Sequence, residues 1–217
     1  QLYGTDHSAE ILYDATGEVL WFNIVDRVFR YNAGVPLEIG HRNPSGLANR
    51  HWADILDMLQ RAAHALGVHW GPFKADIMLT EQGPKILECT ARLSGGYDSQ
   101  GTSLARGYDP TRILMQLACG LPVEAPETEY SQSAACCAAF PTPGRVTRTP
   151  DAQQFQAEHP ELWAVHVLRN AGDVIEPYTH CAIRPGFVIA RGDTAALAWN
   201  AASTGAKQLA EQWETMP

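Results

Sequence analysis

The sequence predicts an α+β protein: an antiparallel sheet flanked by helices, followed by a smaller α+β domain. Three observations carry that reading. Apolar, β-branched and aromatic runs are joined by short turn signals, the mark of hairpins. One long segment repeats its apolar residues at three and four, the period of a helix packed on one side. A stretch rich in proline and glutamate, 121–130, separates two regions of different pattern, so residues 1–120 and 121–217 are expected to form separate domains.

The elements follow in order. Ala9 to Asp14 and Glu18 to Val25 read as a hairpin with Gly17 in its loop. Glu10, the one acid inside the first run, could face a site, but a solvated strand position is the one expected. Val35 to Ile39 is a short strand that delivers His41 into a loop of turn residues, Asn43-Pro44-Ser45-Gly46. Asn49 is a candidate N-cap for a helix whose stripe is Trp52, Ile55, Leu56, Leu59, Ala62, Ala63 and Leu66. After a central hairpin comes a polar loop, 97–103, and then a helix that begins near Pro110 and ends by Gly120. Beyond the linker a small-residue strand spans 131–140 and a short helix starts at Thr149-Pro150-Asp151. Strands follow at 162–169 and 187–190. The last helix is capped by Asp193 or Thr194, with Ala196, Leu197, Ala201 and Leu209 on its apolar side.

The totals set bounds. At 217 residues the chain has room for a sizeable core, and 45% apolar with 18% charged residues is ordinary for a globular protein. A net charge of −8 argues against a general nucleic-acid surface, and no apolar run is long enough to span a bilayer. Five cysteines, with Cys136 and Cys137 adjacent, do not make a disulfide framework; buried strand thiols in a reducing, cytoplasmic setting fit them better. The chain opens on Gln1 and holds three lysines, Lys74, Lys85 and Lys207, so a piece of a longer polypeptide is expected.

The chemistry concentrates in residues 67–96. Phe73, Ala75, Ile77 and Leu79 alternate with Lys74, Asp76 and Met78, and Glu81-Gln82-Gly83 suits a hairpin loop. Pairing centred on Gln82 sets Asp76 opposite Glu88, with Ile86, Glu88, Thr90 and Arg92 on one face. Two facing carboxylates repel and call for a cation; with room left for phosphate oxygens they suit magnesium. Read blandly, the same pair is a solvated face with Lys74, Lys85 or Arg92 as counter-charge.

With those residues in view, the chain resembles the C-terminal half of the ATP-grasp superfamily of carboxylate–amine ligases and its carbamoyl-phosphate-synthase-like branch. That family carries an acid, then a Glu twelve residues on, then Asn and Arg at two-residue steps. The counterparts are Asp76, Glu88, Thr90 and Arg92, in ECTAR followed by LSGG; EIGHRNPSG upstream, GYDP…LACG downstream and GFVIARGDT in the trailing unit also look like the family's. The resemblance implies that Asp76, Glu88 and Thr90 hold Mg2+ (or Mn2+) on the phosphates of ATP. It implies that Arg92 stabilises the transferred phosphoryl group and that Met78 and Leu87 touch adenine. Gly95, Gly96 and His41 would contact substrate.

The implied reaction activates a carboxylate as an acyl-phosphate, forming ADP, for attack by an amine. Thr90 departs from the family's Asn. The family's N-terminal half, with its lysines and glycine-rich flap, is not in these residues, and the 217 residues alone are expected to be inactive. The implied partners are small-molecule carboxylate and amine substrates and the N-terminal half of the same polypeptide. Oligomeric state stays open, a homodimer included. A second reading makes the chain a non-catalytic ATP-grasp-like binding or regulatory module; a third reduces Asp76, Glu88 and Arg92 to a surface ion-pair network.

Overall fold

A computed structural model describes residues 1–32, 34–126 and 129–217. Glu127 and Thr128 of the expected linker lie outside the described residues. The chain forms two compact units, 1–27 with 43–131 and 28–42 with 132–217. The sequence-based boundary lies at 120/121; in this grouping residues 28–42 go with the C-terminal residues and 121–131 with the first unit.

In the first unit β1 (Thr5–Tyr13) pairs antiparallel with the start of β2 (Val19–Asn32) and, on its other side, with β4 (Gly71–Thr80). β5 (Gly83–Thr90) closes the edge, giving the order β5-β4-β1-β2. Ala9, Ile11, Phe73, Ala75 and Ile77 share one face of this sheet. Helix α1 (Asn49–Ala65) lays Ile55, Leu59 and Ala63, four residues apart, on that face. Asn49 is the first helical residue and not the cap; Ala48 precedes it without a side-chain hydrogen bond. The opposite face carries Leu12 and Trp21 under Ile113 of α3 (Pro110–Ala118), whose N-cap Asp109 accepts from Thr111 N–H.

From Asp98 on, the expected polar loop 97–103 is instead helical, in α2 (Asp98–Arg106). Glycine, serines and threonine give it weak helix propensity. Tertiary bonds hold it: Thr102 is fully buried, and its hydroxyl accepts from Asn23 and Asn43 at 3.1 and 2.9 Å.

In the second unit β2 continues and the strand order is β2-β3-β6-β10-β8, with β3 (Val35–Asn43), β6 (Ser133–Ala139), β8 (Leu162–Val167) and β10 (Gly186–Gly192). A small sheet of β7 (Gly144–Arg148), β9 (Val174–Ile175) and β11 (Glu214–Met216) and helix α4 (Ala152–Glu158) complete it with α5 (Ala195–Glu211). Cys136 and Cys137 are buried on β6, and none of the five cysteines is in a disulfide. α5 buries Ala198, Ala202, Gly205, Ala206 and Leu209, so its apolar side is displaced from the expected one: Leu197 is 55% exposed. Of the two candidate caps it is Thr194 whose hydroxyl accepts, from Leu197 N–H at 3.2 Å. Thr194→Ala is expected to cost about 1 kcal/mol in urea unfolding. No helix among the described residues is long and apolar enough to cross a membrane.

Candidate functional site

The site is built on the sheet face of the first unit that turns away from α1. Cross-strand pairing arranges it in two rows. Ser8, Asp76 and Glu88 lie side by side on β1, β4 and β5, and beside them Asn23, Glu10, Lys74 and Thr90 on β2, β1, β4 and β5. Asp76 and Glu88 are therefore direct neighbours on one face, as the sequence suggests.

The register that achieves this differs from the expected one. Next to the turn, Thr80 pairs with Gly83 and Ile77 with Ile86; Gly83 follows the turn at φ 93°, a backbone setting glycine takes without strain. A bulge at Leu87 then shifts the pairing by one, so that Asp76 meets Glu88. Ile86 and Cys89 thus both pack against the α1 core, and Ile86 does not share the face of Glu88. The bulge sets Leu87, 48% exposed, next to Glu88, on the side of Met78 and Asp76.

The carboxylates are not left to repel each other. Asp76 is bonded to the Lys74 ammonium and, at 3.1 Å, to Arg27 Nη1. Lys74 is thus one source of the positive charge that the pair calls for, with Arg27 beside it. Glu88 and Arg92 are exposed, and Arg92 Nη1 donates to Leu93 O at 2.8 Å. Among the described residues no group of three or more metal-ligating side chains forms. The oxygens of Asp76, Glu88 and Thr90 are nonetheless hard donors of the kind magnesium takes alongside substrate phosphates, so the donor set fits that ion.

Glu10 departs from the solvated strand position expected of it. It is 3% exposed, not solvated, and its carboxylate accepts the Ser94 N–H. Burial pushes its carboxyl up to about 7, with Asp98 adding to the rise and the Ser94 bonds and Lys74 opposing it. It ties the sheet to the loop that carries Gly95 and Gly96, as does the 3.3 Å contact of Ser8 Oγ with Ser94 Oγ. Nothing stands within 4 Å of a Cβ placed on Gly95, so its backbone is open to approach. Gly96 and Tyr97 both have positive φ, 67° and 68°. In Tyr97 that setting is strained, the kind of local cost that collects at ligand-binding loops.

Ser45 and His41 stand elsewhere. The Ser45 hydroxyl donates to Asp26, which also bonds His7 Nδ1 at 3.0 Å. Burial alone would raise Asp26, but those bonds and the Gly46 N–H hold it below the usual carboxylate range. His41 lies within β3, in the second unit, and not in a loop. It is 6% exposed, with Nε2 2.8 Å from Glu38 Oε1 and Arg184 Nη1 3.8 Å from Glu38 Oε2.

Comparison with known proteins agrees with this architecture. Residues 138–214 match the model of the L-amino acid ligase C-terminal domain 2. L-amino acid ligase from Bacillus licheniformis superposes with a TM-score of 0.77 at 20% identity, covering 100% of this chain and 55% of that one. The chain has the ATP-grasp fold. Carboxyaminoimidazole ribonucleotide synthase from Aspergillus clavatus, complexed with ATP, gives a TM-score of 0.70 at 13% identity over 99% of this chain and 52% of its own. Dapdiamide A synthase of Enterobacter agglomerans is 26% identical over 144 residues, 63% of this chain and 34% of that protein. The chain spans about half the length of these solved relatives.

Proposed function

We propose that this chain supplies the metal-and-phosphate side of an ATP-dependent carboxylate–amine ligase, working with an N-terminal half of the same polypeptide. The observation that carries the reading is Asp76 directly beside Glu88 on a face that also bears Thr90. Together they would hold Mg2+ or Mn2+, which when bound supplies positive charge to the phosphates of ATP. Lys74 and Arg27, both bonded to Asp76, hold its carboxylate in place until then. Leu87 and Met78 offer apolar surface to adenine. Arg92 presents a guanidinium fork to the phosphoryl group in transfer. The open backbone at Gly95 and the left-handed turn at Gly96 can donate N–H groups to a carboxylate. His41, paired with Glu38, is assigned a substrate contact from the resemblance.

In the reaction the substrate carboxylate takes the terminal phosphoryl group of ATP, releasing ADP. An amine then displaces phosphate from the acyl-phosphate to leave an amide. Positioning and charge neutralisation do most of this work. The chain's free thiols suit a reducing, cytoplasmic compartment. The 217 residues by themselves are expected to release no ADP above background.

Calorimetric titration of the full-length protein with a non-hydrolysable ATP analogue, with and without Mg2+, tests the reading. Metal-dependent binding that Glu88→Gln weakens at least tenfold supports it. Binding indifferent to metal, or none at all, would replace it with the non-catalytic module.

A further inference from the structure

The first unit contains a cavity of about 500 Å3 whose walls include Trp21, Phe22, Leu47, Trp52, Arg106 and Tyr130. None of Asp76, Glu88 or Arg92 lines it. Phe22 meets Trp52 edge-on at 5.7 Å between ring centres, and Trp52 meets Tyr130 edge-on at 6.3 Å. Its volume falls in the range of small-molecule sites, and its lining is mostly apolar.

Arg106 is the unexplained member. It is 9% exposed, yet among the described residues no carboxylate lies in ion-pair reach of it. Its guanidinium sits 4.2 Å over the Tyr130 ring, and Nη2 donates to Phe22 O at 2.9 Å and Tyr130 Oη at 3.0 Å. Nε is buried without a partner. Arginine is rarely this buried without a counter-charge, because neutral acceptors offset only part of the lost hydration. The missing element is a single negative charge, and the surrounding rings call for a flat apolar body.

We propose that this cavity binds a small aromatic carboxylate, its anionic group on Arg106 and its ring among Phe22, Trp52 and Tyr130. A neutral arene would leave the guanidinium uncompensated. An aromatic amino acid would bring an ammonium that no acidic side chain in the lining matches. Inorganic phosphate would leave the rings unused and add a second charge. The proposal stands apart from the ligase reading, since it uses none of the residues that reading needs.

The test is 19F NMR on the full-length protein with three probes: 4-fluorobenzoate, 4-fluorobenzyl alcohol and 4-fluorophenylalanine. Saturable binding of the benzoate, with the alcohol and the amino acid each about tenfold weaker or worse, is expected. Arg106→Met should remove the preference for the acid. Because that variant also loses the bonds to Phe22 and Tyr130, the wild-type Trp52 indole 1H–15N signal is followed in parallel, and it should shift on adding benzoate. Equal affinity for acid and alcohol, no saturable binding, or shifts confined to the hairpin of Asp76 and Glu88 would overturn the proposal.

Discussion

Glu10→Gln is expected to make the protein more stable than the wild type at pH 8.5, by about 3 kcal/mol relative to the difference at pH 4.5. Gln keeps an oxygen to accept the Ser94 N–H and removes the charge that burial disfavours. The sign follows from a folded-state carboxyl near 7 against an ordinary 4.5. The folded state holds the proton more tightly than the unfolded state does, so the stability this gives is complete below about pH 4.5. It is lost as pH rises through 7. A rise of roughly two and a half pKa units, at 1.36 kcal/mol each, gives the magnitude. Urea unfolding of both proteins across this range measures it, and parallel pH profiles would mean that Glu10 is not buried as described.

Lys74→Met carries the second large effect, with the opposite sign. Lys74 is 8% exposed, bonded to Asp76 and directly opposite Glu10. Its loss leaves Asp76 to Arg27 alone and removes the cation that steadies Glu10. Breaking a buried pair from one side is costly, so a loss of about 3 kcal/mol is expected at pH 8. The loss shrinks towards pH 5, where Glu10 takes up a proton. Adding Glu10→Gln to the variant should recover part of it at pH 8 and little at pH 5. A cost below about 1 kcal/mol at both pH values would show that Lys74 behaves as a solvated surface charge.

The hairpin was legible because its signals are local. Alternation from Phe73 to Leu79 and a turn signal ending at Gly83 mark the two strands, and a count centred on Gln82 sets Asp76 opposite Glu88. The observed turn pairs Thr80 with Gly83, and the same Asp76–Glu88 pair is reached through the bulge. The bulge at Leu87 was not legible: strict alternation from Ile86 gives the wrong face for Ile86, and only packing against α1 shows where the extra residue sits. Helix α2 was missed for the same kind of reason, since the Asn23 and Asn43 bonds to Thr102 that hold it come from residues far away in sequence. Lys74 is legible as a counter-charge to the carboxylate pair, but the burial of Glu10 beside Ser94 and the approach of Arg27 to Asp76 follow only from the assembled sheet. Glu38 shows the remaining limit, because a lone acid in a strand gives no sign of the histidine three residues on that folds back to meet it.

The central claim is that Asp76 and Glu88 act together on one ion beneath a nucleotide. A double-mutant cycle of Asp76→Asn and Glu88→Gln, read as Mg2+-dependent binding of the ATP analogue to the full-length protein, tests that most directly. Two ligands of a shared ion give strongly non-additive losses, with either change costing nearly as much as both. Independent, additive losses, or metal-dependent binding that survives the double change, would contradict it.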